Sequence, residues 1–173
     1  MAMTDRPAQS VVADTGPLIH LDELNVLWLL ADFAKVLVPA TVASELAQHR
    51  PHLLSQTEVT WQHCAAKLPR DPRLAALCQL FSLHAGEQDA LAQLEMAPQC
   101  IFLTDDSAAR QVAERMGFKV HGSIGIIIRA IRRSQLTPAE VIQILSEIPI
   151  RSSLYIKTAL LQEVITKITV EFD

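Results

Sequence analysis

Six carboxylates in this chain of 173 residues stand at the ends of apolar runs or on apolar helix faces. Asp14 closes the β-branched run SVVAD, and Asp105 and Asp106 close the apolar run QCIFLTDD. Glu45 shares a helical face with Val42, Leu46 and His49 at spacings of three and four, so an apolar stripe carries a charge. Glu87 repeats the anomaly beside Ala90, Leu91 and Leu94 in GEQDALAQLEM. Asp89 follows two residues later, about 200° further round a regular helix, so Glu87 and Asp89 should not both point into one site. Ordinary readings exist for most of these acids. Asp14 before Thr15 and Gly16 suits an Asx turn, Asp106 suits a helix N-cap, and Glu87 and Asp89 suit a first helical turn whose dipole favours anions. Glu45 has no such reading, and one shared site is a simpler account than four coincidences.

Carboxylates gathered in one place repel, by about 3 kcal/mol for a pair about 5 Å apart at an effective dielectric near 20. A cluster therefore stands only with shifted pKa values or a bound cation. Oxygen ligands alone, without His or Cys at zinc spacing, suit Mg²⁺ or Mn²⁺. Such an ion, with water completing its shell, serves the activation of water against a phosphodiester and the stabilisation of the departing oxyanion. No Ser or Cys nucleophile is required, and no Ser/His/Asp arrangement is evident. Phosphotransfer on an Asp-x-Asp pattern is disfavoured, because Gly16 stands where the second Asp belongs.

The elements that must position these acids alternate. SVVAD and VLVP (36–39) read as strands, TGP as a turn or helix start, and 24–33 as a buried helix. Pro39 suits the first turn of the helix ATVASELAQHR. Prolines 51, 69 and 72 surround an expected strand at 58–62. Helical patterns cover 73–83, GEQDALAQLEM and SAARQVAERMG, the last with Gly117 as a left-handed cap. FKVHG precedes SIGIIIRAIRRSQL, then TPAEVIQILSEI opens with a capping box of Thr137 and Glu140, and 154–168 is a last amphipathic stretch. Strand and helix alternate with short connections, which implies one α/β domain with a parallel sheet covered on both faces. The domain runs over 11–173, after a flexible arm at 1–10. Ligands of such sheets bind outside the carboxyl ends of the strands, where these acids fall.

Composition sets the remaining bounds. Half the residues are apolar and a fifth are charged, as in a globular protein, and the three cysteines, Cys64, Cys78 and Cys100, fit free thiols in a reducing cytoplasm. No signal peptide or membrane span is expected. The formal net charge of −4 argues against nucleic acid as a partner. Position changes that reading. If all six acids belong to one cation-filled cluster, the remainder carries fifteen basic against thirteen acidic residues, or +2.

VVADTGPLIHL, VPATVASEL, GEQDAL and LTDDSAARQVAERMGFKVHGSIGIIIRA together resemble the PIN domain family, in particular its VapC-like toxin branch with GE and DD motifs. The resemblance runs from about Val11 to the C-terminus. It implies a three-layer α/β/α sandwich around a central parallel sheet, and an endoribonuclease dependent on Mg²⁺ or Mn²⁺. It also implies a small antitoxin partner. Catalytic and metal-binding roles pass to Asp14, Glu45, Glu87 and Asp106, with Asp89 and Asp105 as further metal ligands. Asp89 competes with Glu87 for the third station. Thr15 and Thr104, which flank the acids, are candidates for holding water or phosphate, or for capping backbone. Arg110, with Arg115, Arg129, Arg132 and Arg133, is a candidate for the path of the RNA strand. His121 departs from the pattern, standing where relatives carry a small hydroxylated residue. The apolar helices of 124–168 offer surface for a dimer or an antitoxin.

Overall fold

The computed structural model describes residues 9–172. Of the flexible arm expected at 1–10, residues 1–8 lie outside that range. Residues 9 and 10 are tied into the sheet, because the Gln9 and Ser10 carbonyls accept from the Ala34 and Ile101 N–H groups.

Five parallel strands form the sheet in the order β3-β2-β1-β4-β5. They are β1 (Val11–Ala13), β2 (Val36–Pro39), β3 (Trp61–Cys64), β4 (Ile101–Leu103) and β5 (Lys119–His121). Helices α1 (Thr15–Glu23), α2 (Ala40–His49), α3 (Pro72–Leu80), α4 (Ala85–Met96), α5 (Ser107–Arg115), α6 (Ser123–Arg132), α7 (Pro138–Arg151) and α8 (Thr158–Phe172) supply the outer layers. Strand pleating separates two cores. Val11, Ala13, Ile101 and Leu103 point into one, with residues of α1, α6, α7 and α8, while Val12 and Phe102 point into the other, with α3, α4 and α5. The result is the three-layer α/β/α sandwich. β1 is paired with β2 on one side and β4 on the other, in register Val12↔Leu37 and Val12↔Phe102. The chain order reverses at β1, so the loops leaving β1 and β4 part there and open a crevice at their carboxyl ends.

Three expectations shift. Residues 24–33 do not form an α-helix. The helix lies earlier, as α1, and stops before Asn25, whose φ of 57° breaks it; a 3₁₀ segment, Leu27–Asp32, follows. β3 begins at Trp61, later than 58–62, because its pairing with β2 sets Val36 against Trp61. Residues 152–157 are an extended strap, and α8 starts only at Thr158. Glu23 holds that strap, accepting from the Ser153 N–H at 2.6 Å and the Ser152 hydroxyl at 3.0 Å. The Thr137–Glu140 capping box forms, and Gly117 has φ of 82°. No helix among the described residues is long and apolar enough to cross a membrane.

Asp32 fastens the 3₁₀ segment to α6 through Arg129 and Arg133, with the Arg129 guanidinium 4.5 Å from the Phe33 ring centre. Burial alone would push the Asp32 carboxyl up, yet hydrogen bonds and charge from both arginines hold it below its ordinary 3.8. Replacing Asp32 by Asn is therefore expected to cost about 1–2 kcal/mol at neutral pH, read from urea melts. Because the folded carboxyl titrates below the unfolded one, this stabilisation is complete above 3.8 and is lost as pH falls through the lower folded value. The two melting curves should converge in acid, and a gap that stays constant at about pH 2 refutes the ion-pair account.

Candidate active site at the carboxyl edge of the sheet

Asp14 leaves β1 as the N-cap of α1. Its Oδ1 accepts from the Thr15 N–H at 2.8 Å and its Oδ2 from the Thr104 hydroxyl at 3.0 Å. The side chain is buried, and burial pushes its carboxyl up to about 6, against the pull of those two hydrogen bonds and with the help of charge on Glu45 and Asp106. Thr104 follows β4 and is fully buried; its Oγ1 also accepts from the Asp106 N–H at 3.2 Å. Thr104 thus positions two acids and is out of reach of a substrate. Thr15 donates to Glu45 Oε2 at 2.5 Å, which fixes the acid that α2 contributes.

Helix α4 reaches this edge end-on. Gly86 lets it approach, since a Cβ there would sit 3.2 Å from Glu45 Oε1. Glu87 caps its own helix, accepting from the His84 N–H at 2.8 Å. Burial pushes the Glu87 carboxyl up, opposed by that bond and reinforced by Asp14 and Asp106. Asp106 is the N-cap of α5 and takes the Ala109 N–H at 2.8 Å. Asp14, Glu45, Glu87 and Asp106 all line one cavity of about 590 Å³. Asp14, Glu87 and Asp106 thus cap helices as expected and, with Glu45, line one cavity, because helix N-termini converge here.

Two expected metal ligands stand apart from this set. Asp89 lies on the opposite side of α4 from the cavity, buried, with its carboxylate taken up by the Thr41 N–H and hydroxyl, the Lys67 N–H and the Gln93 amide. The helical geometry that separates it from Glu87 makes it a tie between α4, α2 and the segment 65–71 that follows β3. Asp105 does line the cavity, but three donors engage its oxygens: His20 Nδ1 at 2.7 Å, and the Ser123 N–H at 2.8 Å and hydroxyl at 2.5 Å. Burial would push the Asp105 carboxyl up, and these bonds hold it below the usual carboxylate range. It is a committed anion, not a free ligand. With Asp89 and Asp105 set aside, the rest of the chain balances at fifteen basic and fifteen acidic residues instead of +2.

Reading the sequence by pattern misses this Asp105, His20 and Ser123 group, which joins α1, the end of β4 and the start of α6. It is not a nucleophilic triad. Ser123 gives its proton to Asp105, not to the imidazole, and is fully buried. Cysteine chemistry is equally remote, since burial pushes the Cys64, Cys78 and Cys100 thiols up.

Among the described residues no three His, Cys, Asp or Glu side chains converge closely enough to hold a metal ion. The four acids ring the cavity instead, each drawn back onto a protein donor. Their chemistry fits a hard divalent cation all the same. Glu45 Oε1, Glu87 Oε1 and Asp106 Oδ2 carry no protein hydrogen bond among the described residues, and mutual repulsion helps raise Asp14 and Glu87. A second cleft of about 380 Å³ adjoins the first, sharing Asp105, Leu154 and Tyr155, and is lined by Arg110 and His121. Arg110 is thus beside the acids, not among them.

No curated protein matches the chain. A family model, DUF3368, described as a PIN domain, matches residues 10–169. That match spans the parallel sheet and every acid of the cavity, and the chain belongs to the PIN domain family.

Proposed function

We propose that the protein is an endoribonuclease that hydrolyses RNA phosphodiesters with a divalent cation, Mg²⁺ or Mn²⁺, held by Asp14, Glu45, Glu87 and Asp106. PIN domains are typically nucleases that use divalent metal ions, which supports the class of reaction. The observation that carries the reading is the delivery of four acids, from four separate segments, to one cavity at the carboxyl edge of the sheet. When bound, the cation offsets phosphate charge and acidifies water. The chain's own part is preorganisation. Thr104 holds Asp14 and the Asp106 backbone together, Thr15 holds Glu45, and Gly86 admits α4, so little side-chain freedom remains to be lost on binding.

The adjoining cleft gives the strand a path out of the cavity. Arg110 contributes a guanidinium there and Tyr155, 85% exposed, an aromatic face. Arg110→Ala should weaken RNA binding several-fold, leave kcat near wild type and reduce the slope of log K against log salt by about 1. An unchanged salt slope removes Arg110 from the RNA path. The finer reading, a toxin paired with a small antitoxin or with its own copy, is supported by the family resemblance and by exposed Ile150 and Val170 on α7 and α8. The reading as a whole is tested by incubating the protein with single-stranded and structured RNA in Mg²⁺ or Mn²⁺. Cleavage that stops with EDTA is expected, and cleavage that persists in EDTA overturns it.

A further inference from the structure

His20 is the one imidazole that both lines the acidic cavity and is oriented by a carboxylate across the sheet edge. It sits on α1, its side chain 14% exposed, with Nδ1 on Asp105 at 2.7 Å. Nε2 has no protein hydrogen-bond partner among the described residues, and it is not among their fully buried, unpartnered polar atoms. The orienting carboxylate is itself fixed. Two bonds from Ser123 hold it, and Gly122 lets the backbone close on it, because a Cβ at 122 would fall 2.7 Å from Asp105 Oδ1. A ring whose one nitrogen is locked by a fixed anion has its other nitrogen aimed. Nothing about structural support requires the ring to edge a cavity.

We propose that His20 is a catalytic residue of a second kind, the general acid that protonates the oxygen leaving phosphorus, with Asp105 and Ser123 as its positioning residues. The proposal rests on the nuclease reading above and adds to the acids a proton donor that is not one of the proposed cation ligands. In the imidazolium form both ring nitrogens carry protons; Nδ1 donates to Asp105 and Nε2 is left to donate into the cavity. Water forms a bond to phosphorus, the bond from phosphorus to the leaving ribose oxygen breaks, and its electron pair stays on that oxygen. That oxygen takes the Nε2 proton. The proton released by the attacking water passes to solvent, from which the imidazole is recharged, so the sum is phosphodiester plus water to phosphomonoester plus alcohol.

The leaving group separates this role from phosphate binding or support. An alkoxide needs a proton; p-nitrophenolate does not. His20→Asn should lower RNA cleavage by about 10²- to 10⁴-fold, the usual range for general acid–base catalysis, yet leave hydrolysis of a p-nitrophenyl phosphodiester within a few-fold of wild type. Asp105→Asn should show the same asymmetry with a smaller loss. His20→Gln is the parallel variant if Asn perturbs folding. A measurement on the wild type alone completes the test: rates over a series of aryl and alkyl phosphodiesters should depend only weakly on leaving-group acidity. Equal loss on RNA and the aryl ester, no loss on RNA, or a steep wild-type dependence overturns the proposal while leaving the nuclease reading intact. A wild-type protein that cleaves neither substrate, with metal present, overturns both.

Discussion

Replacing Asp14 by Asn is expected to lower RNA cleavage by at least about 100-fold, since the charge stabilisation that a held cation supplies amounts to several kcal/mol and each 1.36 kcal/mol is tenfold. The fold should survive. Asn keeps the shape of the side chain, its carbonyl oxygen can still take the Thr15 N–H or the Thr104 hydroxyl, and the cost of burying an anion is removed. Mn²⁺ at about 100 times its Kd should add roughly 2.7 kcal/mol to the stability of the wild type by mass action. In Asp14→Asn that increment should shrink or vanish, which thermal melts with and without metal will read. Full activity in the variant, or an undiminished metal response, sinks the assignment of Asp14 as a ligand.

Asp89→Ala should show the opposite behaviour. Four donors converge on that buried carboxylate, from α2, from the segment after β3 and from the next turn of α4. Removing it takes their acceptor away, but three of the four bonds are part-buried beside a cleft that can admit water and Gln93 keeps its bond to the Ala65 carbonyl, so a loss of about 1–3 kcal/mol is expected in denaturant melts. The metal-induced rise in stability should persist in whatever fraction folds. A variant of near-native stability that no longer responds to Mn²⁺ would return Asp89 to the cation and displace Glu87.

These two outcomes bear on what the sequence could and could not disclose. The ends of β1, β2 and β4 were legible because short apolar runs close on turn or cap residues. The Thr137 capping box and Gly117 were legible for the same reason, being decided within a few residues. Residues 24–33 misled because their apolar character marks burial, not helix, and Asn25 was needed to see the break. β3 and the strap at 152–157 depend on partners elsewhere: β2 sets the register of one and Glu23 holds the other. The His20 and Asp105 pair, 85 residues apart, exists only once β1 and β4 lie side by side, and the Asp105 and Ser123 pair, 18 apart, only once β4 and β5 do. A signal was nevertheless present. Asp105 is the acid of its pair that does not cap α5, and His20 is a polar residue next to the buried Leu21 on a helix whose N-cap is Asp14.

The fully buried hydroxyl of Thr104 couples the first acid to the last across the β1 and β4 ladder. The spacing of those acids is consequently tied to the pairing of β1 with β4, neighbouring strands about 4.8 Å apart, through one buried hydroxyl. Loops and the strap are then free to diversify what enters the cleft without disturbing the chemistry. The three-residue strands β1 and β4 have no such licence, because a single inserted residue moves an acid to the other face of the sheet.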